Sequence, residues 1–251
     1  MIVRVDHDGS ASGAANMARD LSMLEDVRNN VADILFRTYT WEPWCVSLGR
    51  NQPETSIDAE RCEASGFDIV RRPTGGRAVL HANELTYCIV VRLGPSRTAR
   101  DVYARVHEAL FTILTDHIPD LAFSGVPTDL RTHYASTGAL GQVCFTSHAR
   151  SEIMSGTRKV VGSAQRVIDG IVLQHGSILC GSGHERISDL VHTDERQREF
   201  LQAEIGRSSV TLSELAQREV LPVEVVRWLT SGDENIETYI RRSFDHFQDT
   251  H

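Results

Sequence analysis

Lys159-Val160-Val161-Gly162-Ser163-Ala164-Gln165-Arg166, followed after Val167-Ile168-Asp169 by Gly170-Ile171-Val172-Leu173-Gln174-His175-Gly176-Ser177-Ile178-Leu179, reads as two β-strands folded back on each other. Both arms are rich in β-branched and small residues. Asp169-Gly170 between them is a hairpin signal, because a two-residue turn of the right twist needs positive φ at both positions. An antiparallel pair here, with helical patterns at irregular intervals around it, does not fit the even spacing of repeated βαβ units. The fold class is therefore α+β, a mixed β-sheet with surrounding helices.

On the N-terminal side, Ser12–Asn29 has the spacing of an amphipathic helix, with Met17, Leu21, Leu24 and Val27 along one face. Strands are expected over Ile34–Trp41 and Cys45–Leu48, on either side of Glu42-Pro43-Trp44. A helix is expected over Ser56–Ser65, capped by Ser56 and stopped by Gly66. The strand Phe67–Arg72 runs into Pro73-Thr74-Gly75-Gly76. Strands over Ala78–Leu80 and Glu84–Leu93 and a long helix over Ser96–Ile118 follow. After Gly183 the texture is helical, near Asp194–Glu204, Thr211–Glu219, Pro222–Leu229 and Asp233–Phe247. Two parts are thus expected: a sheet-bearing unit over 1–183 and a helical C-terminal region over 184–251 packed on it.

The opening stretch also holds the one lysine in a chain of 251 residues, although lysine and arginine together number 26. Arginine is a planar, permanently charged fork, whereas lysine is a compact ammonium on a thin stem that can enter a narrow pocket. Lys159 beside Arg158 therefore marks a position whose geometry arginine does not serve. The formal net charge of −8 argues against a general nucleic-acid binder, although Arg71, Arg72 and Arg77 form a local basic cluster. Met1–Asp8 mixes charges with no apolar run, and no stretch approaches a membrane span, so a cytoplasmic location is expected. The five cysteines are scattered with no CxxC pair, which suits reduced thiols.

Two further segments carry chemistry. In Arg71-Arg72-Pro73-Thr74-Gly75-Gly76-Arg77-Ala78-Val79-Leu80-His81, paired glycines let the backbone approach a ligand, and the arginines suit a phosphate or carboxylate. A plain tight turn is the competing reading, and a Walker A loop is excluded because no Gly-Lys-Ser/Thr follows. In Gly141-Gln142-Val143-Cys144-Phe145-Thr146-Ser147-His148, Cys144 lies 15 residues before Lys159 in a Gly/Ser/Thr/His-rich stretch. It reads equally as a buried thiol or as a nucleophile whose thiolate a neighbouring ammonium would favour. His148, His81 and Asp129 are candidate bases for it. His175, Cys180 and His184 lack the compact ligand pairs of a structural zinc site, and no metal is expected.

Taken in order, these segments resemble the biotin/lipoate protein ligase superfamily. The resemblance is carried by Arg71–His81, Ala139–Phe145 and Arg158-Lys159-Val160-Val161-Gly162-Ser163-Ala164-Gln165. Asn16–Asp20, Glu84–Tyr87 and Leu173–Leu179 extend it. Within the superfamily the chain looks most like the cysteine-dependent octanoyltransferases of the Bacillus type. That resemblance implies Cys144 as the acyl-accepting nucleophile and Lys159 as the cation on the acyl carbonyl. It also implies that Arg72, Thr74, Gly75, Gly76, His81, Gly162, Ser163 and Ala164 bind the acyl group. The donor would be octanoyl-acyl carrier protein, docking near the arginine cluster. The acceptor would be a lipoyl-domain protein, either a glycine cleavage H protein or an E2 subunit. No cofactor is implied unless the chain is an ATP-dependent ligase needing ATP and Mg. Against a ligase stand Arg77, where ligases usually have a third glycine, the short stretch after Gly183, and Cys144 itself. The same motifs would also suit an amidotransferase between lipoyl proteins, or a non-catalytic subunit that binds a lipoyl domain. The chain departs from the superfamily pattern at Ala82, where His81 is usually followed by Asp, which would deprive the pocket of a carboxylate.

Overall fold

The computed structural model describes residues 1–95, 97–123 and 152–245. Its main sheet has seven strands: β1 (Val3–Ala11), β2 (Ile34–Trp41), β6 (Glu84–Arg92), β10 (Ile171–Leu179), β9 (Arg158–Ile168), β8 (Ile153–Ser155) and β7 (Ala122–Phe123), in that order across the sheet. β1 runs parallel to β2, and every other neighbouring pair is antiparallel. A second sheet, β4 (Asp68–Arg71), β3 (Cys45–Leu48) and β5 (Val79–His81), has one parallel and one antiparallel pair. Both sheets are mixed, as the α+β reading requires.

The β9–β10 hairpin closes at Asp169 and Gly170, with φ of 50° and 76°. Both positions are left-handed, the conformation that matches the twist of the flanking strands. The helix α1 (Gly13–Arg28) is capped by the Ser12 side chain, and α3 (Ala99–Thr115) by a reciprocal Thr98/Asp101 box. The second helix is shorter than its sequence pattern. Residues Glu54–Ser56 make a separate 3-10 turn, and α2 (Ala59–Ala64) is capped by Asp58 rather than by Ser56. Aspartate accepts from the first-turn N–H groups, and its charge suits the positive helix end.

Apolar residues on the two faces of the main sheet form separate cores. One, with Met17, Leu24, Leu35, Tyr39 and Leu173, lies under α1. The other gathers Phe36, Tyr87, Leu110, Val161 and Ile178 with Val225, Trp228, Ile240 and Phe244. Those last four belong to α6 (Pro222–Thr230) and α7 (Ile236–Asp245), so the C-terminal helices share the core of the sheet. A third cluster joins the small sheet to α4 (Glu195–Ser208) and the 3-10 segment His184–Leu190. No helix among the described residues is long and apolar enough to cross a membrane.

Candidate active site

A cavity of about 300 Å³ lies where α1, the small sheet and strands β9 and β10 meet. That is the lower end of the size range for small-molecule sites. Its wall includes Arg72, Gly75, Gly76, His81, Lys159, Gly162, Ser163 and Ala164, eight of the residues singled out from sequence, together with Met17, Tyr39, Trp41, Val79 and Glu152. Cys144, His148 and Asp129 lie outside the described residues.

Lys159 is almost completely buried, and its Nζ stands 2.9 Å from Glu152 Oε1. Its main chain is held as well. The Lys159 carbonyl accepts from the Val210 N–H at 2.9 Å, just before α5 (Leu212–Ala216), so the C-terminal region reaches back to the strand that carries the lysine.

Arg72 is 4% exposed, and it is not available as an anion ligand. Its Nε and Nη2 donate to the Gly75 carbonyl at 3.2 and 2.8 Å, and Nη2 also donates to the Arg77 carbonyl at 2.6 Å. Nη1 donates to the Ser47 carbonyl and hydroxyl at 2.8 and 3.1 Å. These acceptors match all five N–H groups of the fork. Arg71 stays exposed, although its Nη1 donates to the carbonyls of Gly49 and Gln52 at 2.9 and 2.6 Å and its Nη2 lies 3.4 Å from Glu54. Two members of the expected basic cluster are thus clips that shape the loops at the cavity. Of the expected basic cluster, Arg72 is withdrawn from the surface and Arg71 is not.

Thr74 also departs from expectation. It is buried away from the cavity, with Oγ1 2.6 Å from His175 Nε2. His175 in turn lies 3.6 Å from Asp20, which accepts from Tyr39 and pairs with Arg37. Burial, against the pull of Asp20, holds the His175 imidazole below its ordinary pKa, so the ring is neutral at physiological pH. Thr74 therefore anchors the glycine loop to the centre of β10 and is not among the residues that line the cavity. The other two residues of the metal-like spacing are engaged separately, His184 Nε2 with Ser209 Oγ at 2.8 Å and the Cys180 thiol with the Ile178 carbonyl at 3.5 Å.

Behind the cavity wall, Glu84 is buried against His81. Its Oε1 lies 2.7 Å from His81 Nδ1 and accepts from the hydroxyls of Thr86 and Ser177 at 2.6 and 2.7 Å. Burial pushes this carboxyl up. The charge and hydrogen bond of His81, together with the two hydroxyls, outweigh that and hold it below the usual range. His81 is also stacked on Trp41 at 4.2 Å, with Ser47 Oγ 2.8 Å from its Nε2, so both ring nitrogens are occupied.

Ser163 Oγ lies 2.7 Å from Tyr87 Oη and 2.9 Å from His107 Nε2. Gly176, opposite it on β10, has no room for a side chain. A Cβ there would fall inside the Ser163 hydroxyl and 2.7 Å from the Gly162 carbonyl and from Tyr87 Cε1. Gly176→Ala is therefore expected to lower stability by about 1–3 kcal/mol through overpacking, read as a lower denaturation midpoint with an unchanged slope.

Nothing in the linear pattern pointed to Glu152, which precedes a three-residue strand, or to Trp41 and Tyr39 as cavity walls. Glu84 stands three residues after His81, a spacing that could have paired them.

The family model of the lipoyl protein ligase A/B catalytic domain matches residues 12–231. Curated relatives named octanoyltransferase LipM include one from Clostridioides difficile, 36% identical over 81% of this chain and 79% of its own length. Another, from Exiguobacterium sibiricum, is 38% identical over 88% and 82%, and that of Bacillus subtilis is 32% identical over 90% and 83%. Among solved structures, the bipartite lipoate protein ligase of Thermoplasma acidophilum matches with a TM-score of 0.67 at 18% identity, covering 98% of this chain and 92% of that one. Lipoate-protein ligase A bound with ATP matches at 0.62 and 17%, covering 99% and 86%. The mixed sheet, the clipped glycine loop and the lysine strand are thus found in a chain that, by the extent of these matches, belongs to the lipoyl protein ligase A/B catalytic domain family.

Proposed function

We propose that the protein is an octanoyltransferase of lipoate biosynthesis. It takes an octanoyl group from acyl carrier protein as a thioester on Cys144 and passes it to a lysine of a lipoyl domain, without nucleotide or metal. The observation that carries this reading is the chain's one lysine, buried and ion-paired in the wall of a cavity that glycine backbone lines, in a chain at least 32% identical to relatives named octanoyltransferase.

The described cysteines support Cys144 by their unsuitability. Cys45, Cys62, Cys88 and Cys180 are all buried, and burial raises each thiol, Cys62 to about 11 and the others further. Thiols at such values carry almost no thiolate at neutral pH and are poor nucleophiles. In the proposed chemistry the thiolate of Cys144 attacks the acyl carbonyl, and the Lys159 ammonium stabilises the oxyanion that develops. The phosphopantetheine thiol leaves. The acceptor amine then attacks the enzyme thioester, forming the amide and returning the thiol.

Mixing the protein with octanoyl-acyl carrier protein without ATP tests this by intact mass. One added octanoyl group is expected, removed by hydroxylamine and absent from Cys144→Ala. No adduct, with transfer from free octanoate or lipoate only when ATP is present, would replace the reading with a ligase. An adduct formed only from an octanoylated lipoyl protein would replace it with an amidotransferase.

A further inference from the structure

The charged or ionisable groups described on the cavity wall are unequal in what they have left to offer. Arg72 is committed to the carbonyls of Ser47, Gly75 and Arg77. His81 is held by Glu84 and Ser47, and His175 by Thr74. Lys159 and Glu152 remain as the ion pair of the wall, and Glu152 is the one carboxylate among the described lining residues.

The backbone of Lys159 is fixed on both sides, by pairing with Met154 across β8 and β9 and by the Val210 N–H on its carbonyl. Only the torsions of the side chain remain to be set. A lysine stem has four of them and loses appreciable rotamer freedom when ordered. Glu152 Oε1 at 2.9 Å supplies a short charge-assisted hydrogen bond, and the two side chains are 3% and 4% exposed, so solvent does little to loosen it.

We infer that Glu152 is the positioning residue for Lys159. Its carboxylate aims the ammonium at the point where the acyl carbonyl binds, and the two residues act as one unit in transfer. This rests on the octanoyltransferase reading. A catalytic donor displaced by about 1 Å can cost about 100-fold in rate, so a partner that never touches the substrate can still set it.

The test uses the full chain in two ways. Protein labelled with 13Cε-lysine gives one lysine resonance, because Lys159 is the only lysine. Glu152→Gln, which keeps the shape and one acceptor oxygen, is expected to shift and broaden that resonance. It should also lower the transfer rate about tenfold with the KM for octanoyl-acyl carrier protein nearly unchanged. Glu152→Ala should lower it about 100-fold. Combined with Lys159→Met, Glu152→Gln should add nothing to the loss of Lys159→Met alone, since residues that act as a unit are not additive. A double variant whose loss is the product of the two single losses would overturn the inference and give Glu152 a separate role. So would an unmoved lysine resonance with full activity in Glu152→Gln. Should the wild-type protein transfer no octanoyl group, the functional reading fails instead, and the lysine resonance alone decides whether Glu152 holds Lys159.

Discussion

Lys159→Met is expected to lower octanoyl transfer by about 100- to 1,000-fold, the loss seen when a single oxyanion donor is removed from an acyl-transfer site. Binding of the acyl chain should survive, because the apolar wall of Met17, Tyr39, Trp41 and Val79 is untouched. The same change strips the buried Glu152 carboxylate of its ammonium partner. Breaking one side of a buried ion pair costs roughly 3–5 kcal/mol, so the melting temperature should fall by roughly 10 °C, at about 2–4 °C per kcal/mol for a chain of this size. Adding Glu152→Gln removes the stranded charge and should recover much of the stability while leaving the rate low. Lys159→Arg is expected to fail in both respects, because a guanidinium is wider than an ammonium and meets a wall fitted to the thin stem. Single-turnover transfer from octanoyl-acyl carrier protein, alongside thermal denaturation, separates the two effects. A Lys159→Met protein with wild-type transfer would remove the lysine from the mechanism.

Arg72→Lys should be nearly as damaging, although it conserves charge. An ammonium has three donors and no fork, and it cannot reach the carbonyls of Ser47, Gly75 and Arg77 together. Each carbonyl left buried without a partner costs about 1–3 kcal/mol, so a total loss of roughly 3–5 kcal/mol is expected. The Gly75–Arg77 segment should also relax, raising the KM for the acyl donor by about tenfold or more through lost preorganisation. If Arg72 bound the substrate directly, lysine would keep part of the interaction, and the KM would change much more than stability. Denaturant melts and donor titrations of the same variant distinguish these outcomes.

Much of the fold could be read from the chain because its local signals agree with its packing. Ile34–Trp41 and Cys45–Leu48 are strands over the bounds expected from their runs of β-formers, and Asp169-Gly170 closes the hairpin as its composition requires. β1 escaped because it is an edge strand with one neighbour, mostly exposed, and its apolar alternation stops after Val5, too short to mark a strand. In the site, residue types were legible but directions were not. Arg72 points inward because carbonyls of its own Gly75–Arg77 loop and of Ser47 on β3 converge on it, and the folded chain is what brings Ser47 there. Thr74 turns from the cavity to His175, 101 residues away in sequence. Glu152 had no motif of its own, and its meaning comes from the β8–β9 pairing that sets it beside the lysine.

The burial of the only lysine also decides what this protein can do to itself. An enzyme that delivers octanoyl groups to ε-amines is surrounded, in any concentrated solution, by other copies of itself. A surface lysine on those copies would compete with the true acceptor and accumulate as acylated waste. Here the sole ε-amino group is 2% exposed and held against a carboxylate, so neighbouring copies present no such target. The same shielding leaves lysine-directed reagents almost nothing to label on this chain. Amine cross-linkers applied to a mixture with an acceptor will therefore find the α-amine of Met1, and no exposed lysine, on this chain.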